Sequence, residues 1–119
     1  MSQALLVTLG GAVGAVSRWG LTLLVPAPWG VWMVNLIGCA LLSFLMHPSA
    51  PLSSDSRLLL GTGVMGGFTT YSTFNHHVLT LLIAGQPGRA AWLAAATFGA
   101  CLAGGAAGWF LADRMFGAP

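Results

Sequence analysis

Apolar residues run along the chain in long stretches, and polar or breaker residues interrupt them only briefly. Residues 19–54, 58–88 and 90–112 contain no charged side chain. A membrane-spanning helix needs about 20 mostly apolar residues, and four segments meet that need. The first runs from about Ala4 to Val25 and stops at Pro26-Ala27-Pro28. The second runs from about Trp29 to Met46 and stops at His47-Pro48. The third runs from about Leu58 to Ile83, and the fourth from about Ala90 to Ala112. The connections, Pro48 to Ser56 and Gly85 to Arg89, carry the breaker residues expected between helices. The pattern predicts a single all-α membrane domain over residues 1–119 with four transmembrane helices. Met1-Ser2-Gln3 has no positive charge, so the first segment reads as a helix rather than as a signal sequence.

Composition sharpens this. Of the 119 residues, 56% are hydrophobic and 5% are charged, with Arg18, Arg57, Arg89 and Arg114 set against Asp55 and Asp113. Soluble domains carry about 25% charged residues, so an ordinary soluble enzyme is excluded. Disordered chains are polar and charged, so disorder is excluded too. Four scattered arginines make no basic patch for nucleic acid. Cys39 and Cys101 fall inside spans without metal-site spacing, which reads as small apolar packing.

The arginines divide evenly across four spans: Arg57 and Arg114 on one side, Arg89 and Arg18 toward the other. Loop arginines orient membrane proteins, and acidic residues contribute little, so no orientation is preferred. Two readings stay open. Other determinants fix one orientation, or the chain inserts both ways and pairs as an antiparallel dimer.

Seventeen glycines lie largely within spans. Gly10/Gly14, Gly63/Gly67 and Gly104/Gly108 have the four-residue spacing that lets helices approach closely in lipid. The third span holds Gly66-Gly67 and then Thr69, Thr70, Ser72 and Thr73. Adjacent glycines weaken a helix, and hydroxyl side chains compete for its backbone bonds, so a break is expected near residues 66–70. Such a break offers carbonyls to a small cation and N–H groups to an anion. The alternative is a kinked helix packed through its glycines. Phe68, Tyr71 and Phe74 are three residues apart and would form one helical stripe. That stripe is either ordinary packing or a lining of electropositive ring edges. Arg18 either snorkels to the interface or serves a site. Asn35 lies inside the second span, where an interhelical hydrogen bond is the ordinary use. His76 and His77 sit later in the third span, where histidines can titrate. No acidic residue lies in any of the expected spans, with Asp55 in a loop and Asp113 at the end of the fourth, which disfavours cation pathways and proton-coupled antiport.

Three stretches resemble the small bacterial fluoride channels, the Fluc or CrcB family. Gly10 to Trp19 is similar to the family's first-helix motif, and Val34-Asn35-Leu36-Ile37-Gly38 to its second-helix motif. Gly66-Gly67-Phe68-Thr69-Thr70-Tyr71-Ser72-Thr73-Phe74 is similar to its broken third helix. The resemblance implies an antiparallel, dual-topology homodimer in the cytoplasmic (inner) membrane that exports fluoride passively. It also implies a structural sodium ion at the dimer centre, held by the backbone carbonyls of Gly66 and Thr69. By the same resemblance Asn35, Tyr71, Ser72, Thr73 and Phe74 line the pore. Arg18 matches the first-helix arginine, and His77 stands about where the family carries a vestibule glutamate. Three departures stand out. Tyr71 replaces a phenylalanine. Asn75-His76-His77 replaces a run with serine and glutamate. Cys101 and Gly105 stand near fourth-helix hydroxyl positions. The alternatives are a non-conducting or half-active partner subunit of a heterodimeric channel, and a small dual-topology multidrug transporter.

Overall fold

The computed structural model describes residues 2–117. Five helices follow one another: α1 (Gln3–Leu24), α2 (Trp29–Leu45), α3 (residues 54–68), α4 (Tyr71–Ile83) and α5 (Pro87–Phe116). Only two extended residues separate α3 from α4, so the chain forms four helical segments, as the apolar pattern predicts.

Local chemistry sets the helix ends. The Ser2 hydroxyl caps α1 by accepting from the Leu5 amide at 3.3 Å, and the Ser53 hydroxyl caps α3 by accepting from Ser56 at 3.1 Å. Two expected boundaries move. Helix α3 begins at Ser54 rather than Leu58, because Ser53 supplies a cap inside what reads as a loop, so Asp55 lies in a first helical turn and not in a loop. Helix α5 begins at Pro87, so Arg89 lies in its first turn and not in a connection. Proline suits that position because the missing N–H would have had no helical partner.

Helices α1 and α5 are each long and apolar enough to cross a bilayer, and α2 is a shorter apolar helix of 17 residues. At about 1.5 Å per residue, the 30-residue α5 reaches well past the hydrocarbon layer at its ends. The helices pack in two principal pairs, α2 on α5 and α1 on α3. Glycine allows both contacts. A Cβ on Gly63 would sit 2.9 Å from the Gly10 Cα, and one on Gly67 would meet Gly11 and lie 3.1 Å from the Ala15 nitrogen. In the other pair, a Cβ on Gly108 would run into the Ala40 carbonyl, and one on Gly104 would lie 2.7 Å from a Leu36 methyl. The four-residue glycine spacings therefore mark real backbone approaches. Within α3, residues Leu58–Met65 adopt a widened i→i+5 helix. This geometry is rare and concentrates at functional sites.

One end of the bundle is tied by polar contacts. Arg57 donates to the carbonyls of His47 and Ala50, each at 3.0 Å, and so fixes the α2–α3 connection. The His47 ring is 4% exposed, packs against Trp109, and approaches Asp113 at 3.6 Å. Large apolar side chains on the outside of the bundle remain exposed, among them Val16, Leu24, Trp92, Phe98 and Phe110. Among the described residues the buried hydrophobic core is small and made mostly of Val, Ala and Leu, as suits a bundle whose solvent is lipid.

A two-residue interruption beside an apolar cavity

The candidate site grows from the point where α3 ends. The glycine pair does not end it: Gly66 and Gly67 are both helical, with Phe68. Helical geometry stops at Thr69 (ψ 157°) and Thr70 (ψ 109°), then resumes at Tyr71. Two unpaired peptide groups inside a bundle would be costly, by about 1–3 kcal/mol for each buried group. Each finds a partner. The Thr69 amide and its hydroxyl both donate to the Met65 carbonyl at 3.0 Å. The Thr69 carbonyl accepts from Arg18 Nη1 at 3.0 Å. Asn35 serves both sides of Thr70: Oδ1 accepts from the Thr70 amide at 2.8 Å, and Nδ2 donates to its carbonyl at 3.0 Å. Gly38, one turn beyond Asn35 on α2, leaves the space that the Thr69 methyl fills.

The Thr70 hydroxyl begins α4. It accepts from the Thr73 amide at 3.3 Å and donates to the Thr73 hydroxyl at 3.0 Å, with Ser72 Oγ 3.3 Å away. Thr70 is thus the N-cap, and the first-turn amides of Tyr71 and Ser72 have no partner within the helix. Those amides and the positive end of α4 favour an anion. Facing them from α3, the last carbonyls before the interruption favour a cation.

A cavity of about 330 Å³ opens beside the interruption. Asn35, Thr69, Tyr71 and Phe74 line one side, and Thr97, Phe98 and Cys101 of α5 line another. No charged side chain contributes to this lining. The Tyr71 and Phe74 rings are 5.7 Å apart and tilted by 60°. The expected three-ring stripe does not form. The interruption falls between Phe68 and Tyr71, so the helical phase is lost, and Phe68 turns toward Gly38 instead.

Thr97 escaped the reading of the sequence. It is 5% exposed, its hydroxyl has no hydrogen-bond partner, and it lines the cavity. A lone threonine in an apolar run carries no sequence signal. Only its register on α5 places it opposite Phe74.

The other candidates are distributed as follows. Asn35 and Arg18 both act on the backbone of the interruption. Arg18 does not snorkel to the interface; its guanidinium reaches Thr69. Ser72 and Thr73 are exposed on the same first turn of α4 as Tyr71, which is 76% exposed. His77 lies elsewhere, lining a second cavity of about 340 Å³ with His76, Thr80 and Arg89. Arg89 gives that cavity one positive charge, which suits an approaching anion. Gly66 lies in the last turn of α3, so its carbonyl has no partner further along that helix.

The donor set fits a hard, singly charged cation in kind. The Gly66 and Thr69 oxygens are neutral carbonyls at a helix C-terminus, and a carbonyl has two lone pairs, of which Arg18 takes one at Thr69. Two carbonyls make an incomplete shell, so other oxygens would have to close it.

Comparison with known proteins places the chain in one family. The sequence model for CrcB-like proteins (Camphor Resistance, CrcB) matches residues 5–109. A protein of Thermus thermophilus named fluoride-specific ion channel is 41% identical over 98 residues, covering 76% of this chain and 78% of its own length. A protein of the same name from Variovorax paradoxus is 42% identical over 107 residues, covering 82% and 84%. One from Anaeromyxobacter dehalogenans is 40% identical, covering 98% and 100%. Since the family model spans residues 5–109 and these relatives are 40–42% identical over 76–98% of the chain, this chain belongs to the CrcB family.

Proposed function

We propose that the chain is a fluoride channel of the bacterial cytoplasmic membrane, not an enzyme, and that it lets fluoride leave the cell passively. One observation carries the reading: the interruption opens onto a cavity lined by hydroxyls and aromatic rings, with no carboxylate. Fluoride is small and holds its water tightly, so a pathway must replace that water with donors. The Thr97 hydroxyl is free to donate, and the Tyr71 and Ser72 amides point from a positive helix end. The ring edges of Tyr71 and Phe74 add weak positive potential. None of these is a full charge. The binding they offer is weak enough for release, as conduction requires. Arg89 would gather the anion at a mouth that His76 and His77 also line. The relatives' names support the choice of ion.

The finer architecture belongs to the same proposal. Residues 54–83 form one span, broken at mid-membrane by Thr69-Thr70. Two copies pair antiparallel, so that the exposed Tyr71, Ser72 and Thr73 turn faces protein rather than lipid. Exposed hydroxyls inside a span are poorly suited to hydrocarbon. With Arg18 spent on Thr69, the arginines near the ends are Arg57 and Arg114 against Arg89, a bias small enough to allow both orientations. Sodium would sit at the dimer centre on the Gly66 and Thr69 carbonyls of both copies, where it neutralises facing helix C-termini. Arg18 holds the Thr69 carbonyl in position.

The experiment is fluoride efflux from liposomes that contain only this chain. Rapid efflux supports a homodimeric channel. Efflux that needs a second, related chain would favour the partner-subunit reading. A multidrug transporter is disfavoured by the position of the acids: Asp55 lies in the first turn of α3, and Asp113 lies at the His47 end of α5.

A further inference from the structure

The cavity has a feature that fluoride permeation does not use. Cys39 of α2 and Cys101 of α5 both line it, and both are free. They also line an adjoining cavity with Ser43, Leu102 and Trp109, so the pair stands where the two spaces meet. The backbones behind the thiols are held close. One turn beyond Cys101, a Cβ on Gly105 would lie 3.2 Å from Ser43 Oγ, and Gly108 abuts Ala40. The register that sets Gly105 against Ser43 sets Cys101 level with Cys39 one turn earlier, so the two free thiols share a mostly apolar space.

We propose that Cys39 and Cys101 form a two-coordinate binding site for a divalent, thiophilic d10 metal ion, mercury(II), and that its occupation closes the path past Phe74 and Thr97. The closure rests on the channel reading; the binding does not. Among the described residues there is no cluster of three or more His, Cys, Asp or Glu side chains. Tetrahedral zinc needs four ligands, at least three of them from protein at a catalytic site, so zinc has no site here. Soft ions that accept two thiolates in a line remain. Charge then selects among them. Two thiolates and a monovalent ion make an anionic complex, which a largely apolar cavity penalises. Two thiolates and a divalent ion make a neutral one. In the binding step, neutral mercuric chloride meets the two thiols. Two S–H bonds and two Hg–Cl bonds break, two Hg–S bonds form, and two protons and two chloride ions leave.

The chain has two cysteines in all, so titration is unambiguous. Purified protein in detergent is treated with mercuric chloride, and the remaining thiols are counted with a disulfide reagent. The mercury–thiolate absorption band is recorded in parallel, and the oligomeric state is checked for mercury-bridged aggregates. One mercuric ion per chain should remove both thiols, half the amount that two independent thiols need. Cys39→Ser and Cys101→Ser should each still take one ion, for one thiol, and release it readily to added glutathione, whereas the wild type retains it. If a variant does not fold, the wild-type stoichiometry alone decides. A requirement for two ions per chain, or thiols that stay reactive after one, would overturn the site. In liposomes, mercuric chloride should stop fluoride efflux and dithiothreitol should restore it. Efflux unchanged after one-to-one loading would overturn the closure. Absence of efflux before any mercury is added would count against the channel reading and leave the thiol result standing.

Discussion

The side-chain amide of Asn35 pairs with both backbone groups of Thr70, donating to its carbonyl at 3.0 Å and accepting from its N–H at 2.8 Å. Asn35 is 9% exposed and Thr70 is also buried. One side chain thus replaces the two hydrogen bonds that a continuous helix would have given this residue. Asn35→Leu would orphan both groups at about 1–3 kcal/mol each. The expected outcome is a lower unfolding temperature in detergent and little folded protein. Asn35→Asp tests the donor separately. It keeps the acceptor for the Thr70 amide but sets a carboxylate against the Thr70 carbonyl, so it should also destabilise. Wild-type stability in both variants would remove this role from Asn35.

Close packing of α1 on α3 gives a sharper contrast between two glycines. A Cβ on Gly14 would run into the Val64 carbonyl and lie 2.7 Å from the Phe68 nitrogen, and neither backbone atom can move aside. Overpacking of this kind costs about 1–3 kcal/mol or more. A Cβ on Gly20 meets nothing within 4 Å, so alanine there should gain about 0.5–1 kcal/mol of helix propensity. Melting temperatures of Gly14→Ala and Gly20→Ala should therefore move in opposite directions.

Much of this arrangement was legible in the sequence, and the rest was not for definite reasons. The prolines at 26, 28 and 48 mark helix ends because they act locally. The glycine spacings pointed to close approach because four residues return to the same helix face. Gly66-Gly67 drew attention to the right segment, although the glycines stay helical and the threonines after them do not. The partners of the interruption could not be read. Asn35 is 35 residues from Thr70, and Arg18 is 51 from Thr69. Such pairings depend on how helices dock, which single-helix periodicity does not encode. The same holds for Thr97, whose neighbours are set by the register of α5 on α2. The Phe68-Tyr71-Phe74 stripe failed because a helical period was carried across residues that are not helical.

Thr97 separates a structural role from a transport role. Its hydroxyl is buried without a partner, so removing it breaks no hydrogen bond. Thr97→Val keeps the shape, and the variant should be at least as stable as the wild type. If the hydroxyl helps to replace the water of fluoride, flux should fall about tenfold or more, the effect of losing about 1.4 kcal/mol of stabilisation at a barrier. Unfolding curves and efflux rates on the same preparation test the two expectations together. Unchanged flux would remove Thr97 from the pathway.

The proposed sodium site makes a prediction about assembly. Carbonyls of Gly66 and Thr69 from two copies would repel one another across the centre without a cation between them. Replacing sodium by a large organic cation such as N-methylglucamine should lower the melting temperature of the dimer and weaken its association in detergent. Light scattering and thermal unfolding, with and without sodium, measure both effects. Identical mass and stability in the two solutions would contradict the site.

Fluoride efflux is the most direct test of the central claim. Liposomes carrying this chain alone, loaded with fluoride or with chloride, would be followed with ion-selective electrodes after an ionophore clamps the potential. The account predicts rapid fluoride release and chloride release no faster than from empty liposomes. Fluoride release at the rate of chloride, or at the rate of protein-free liposomes, would contradict it.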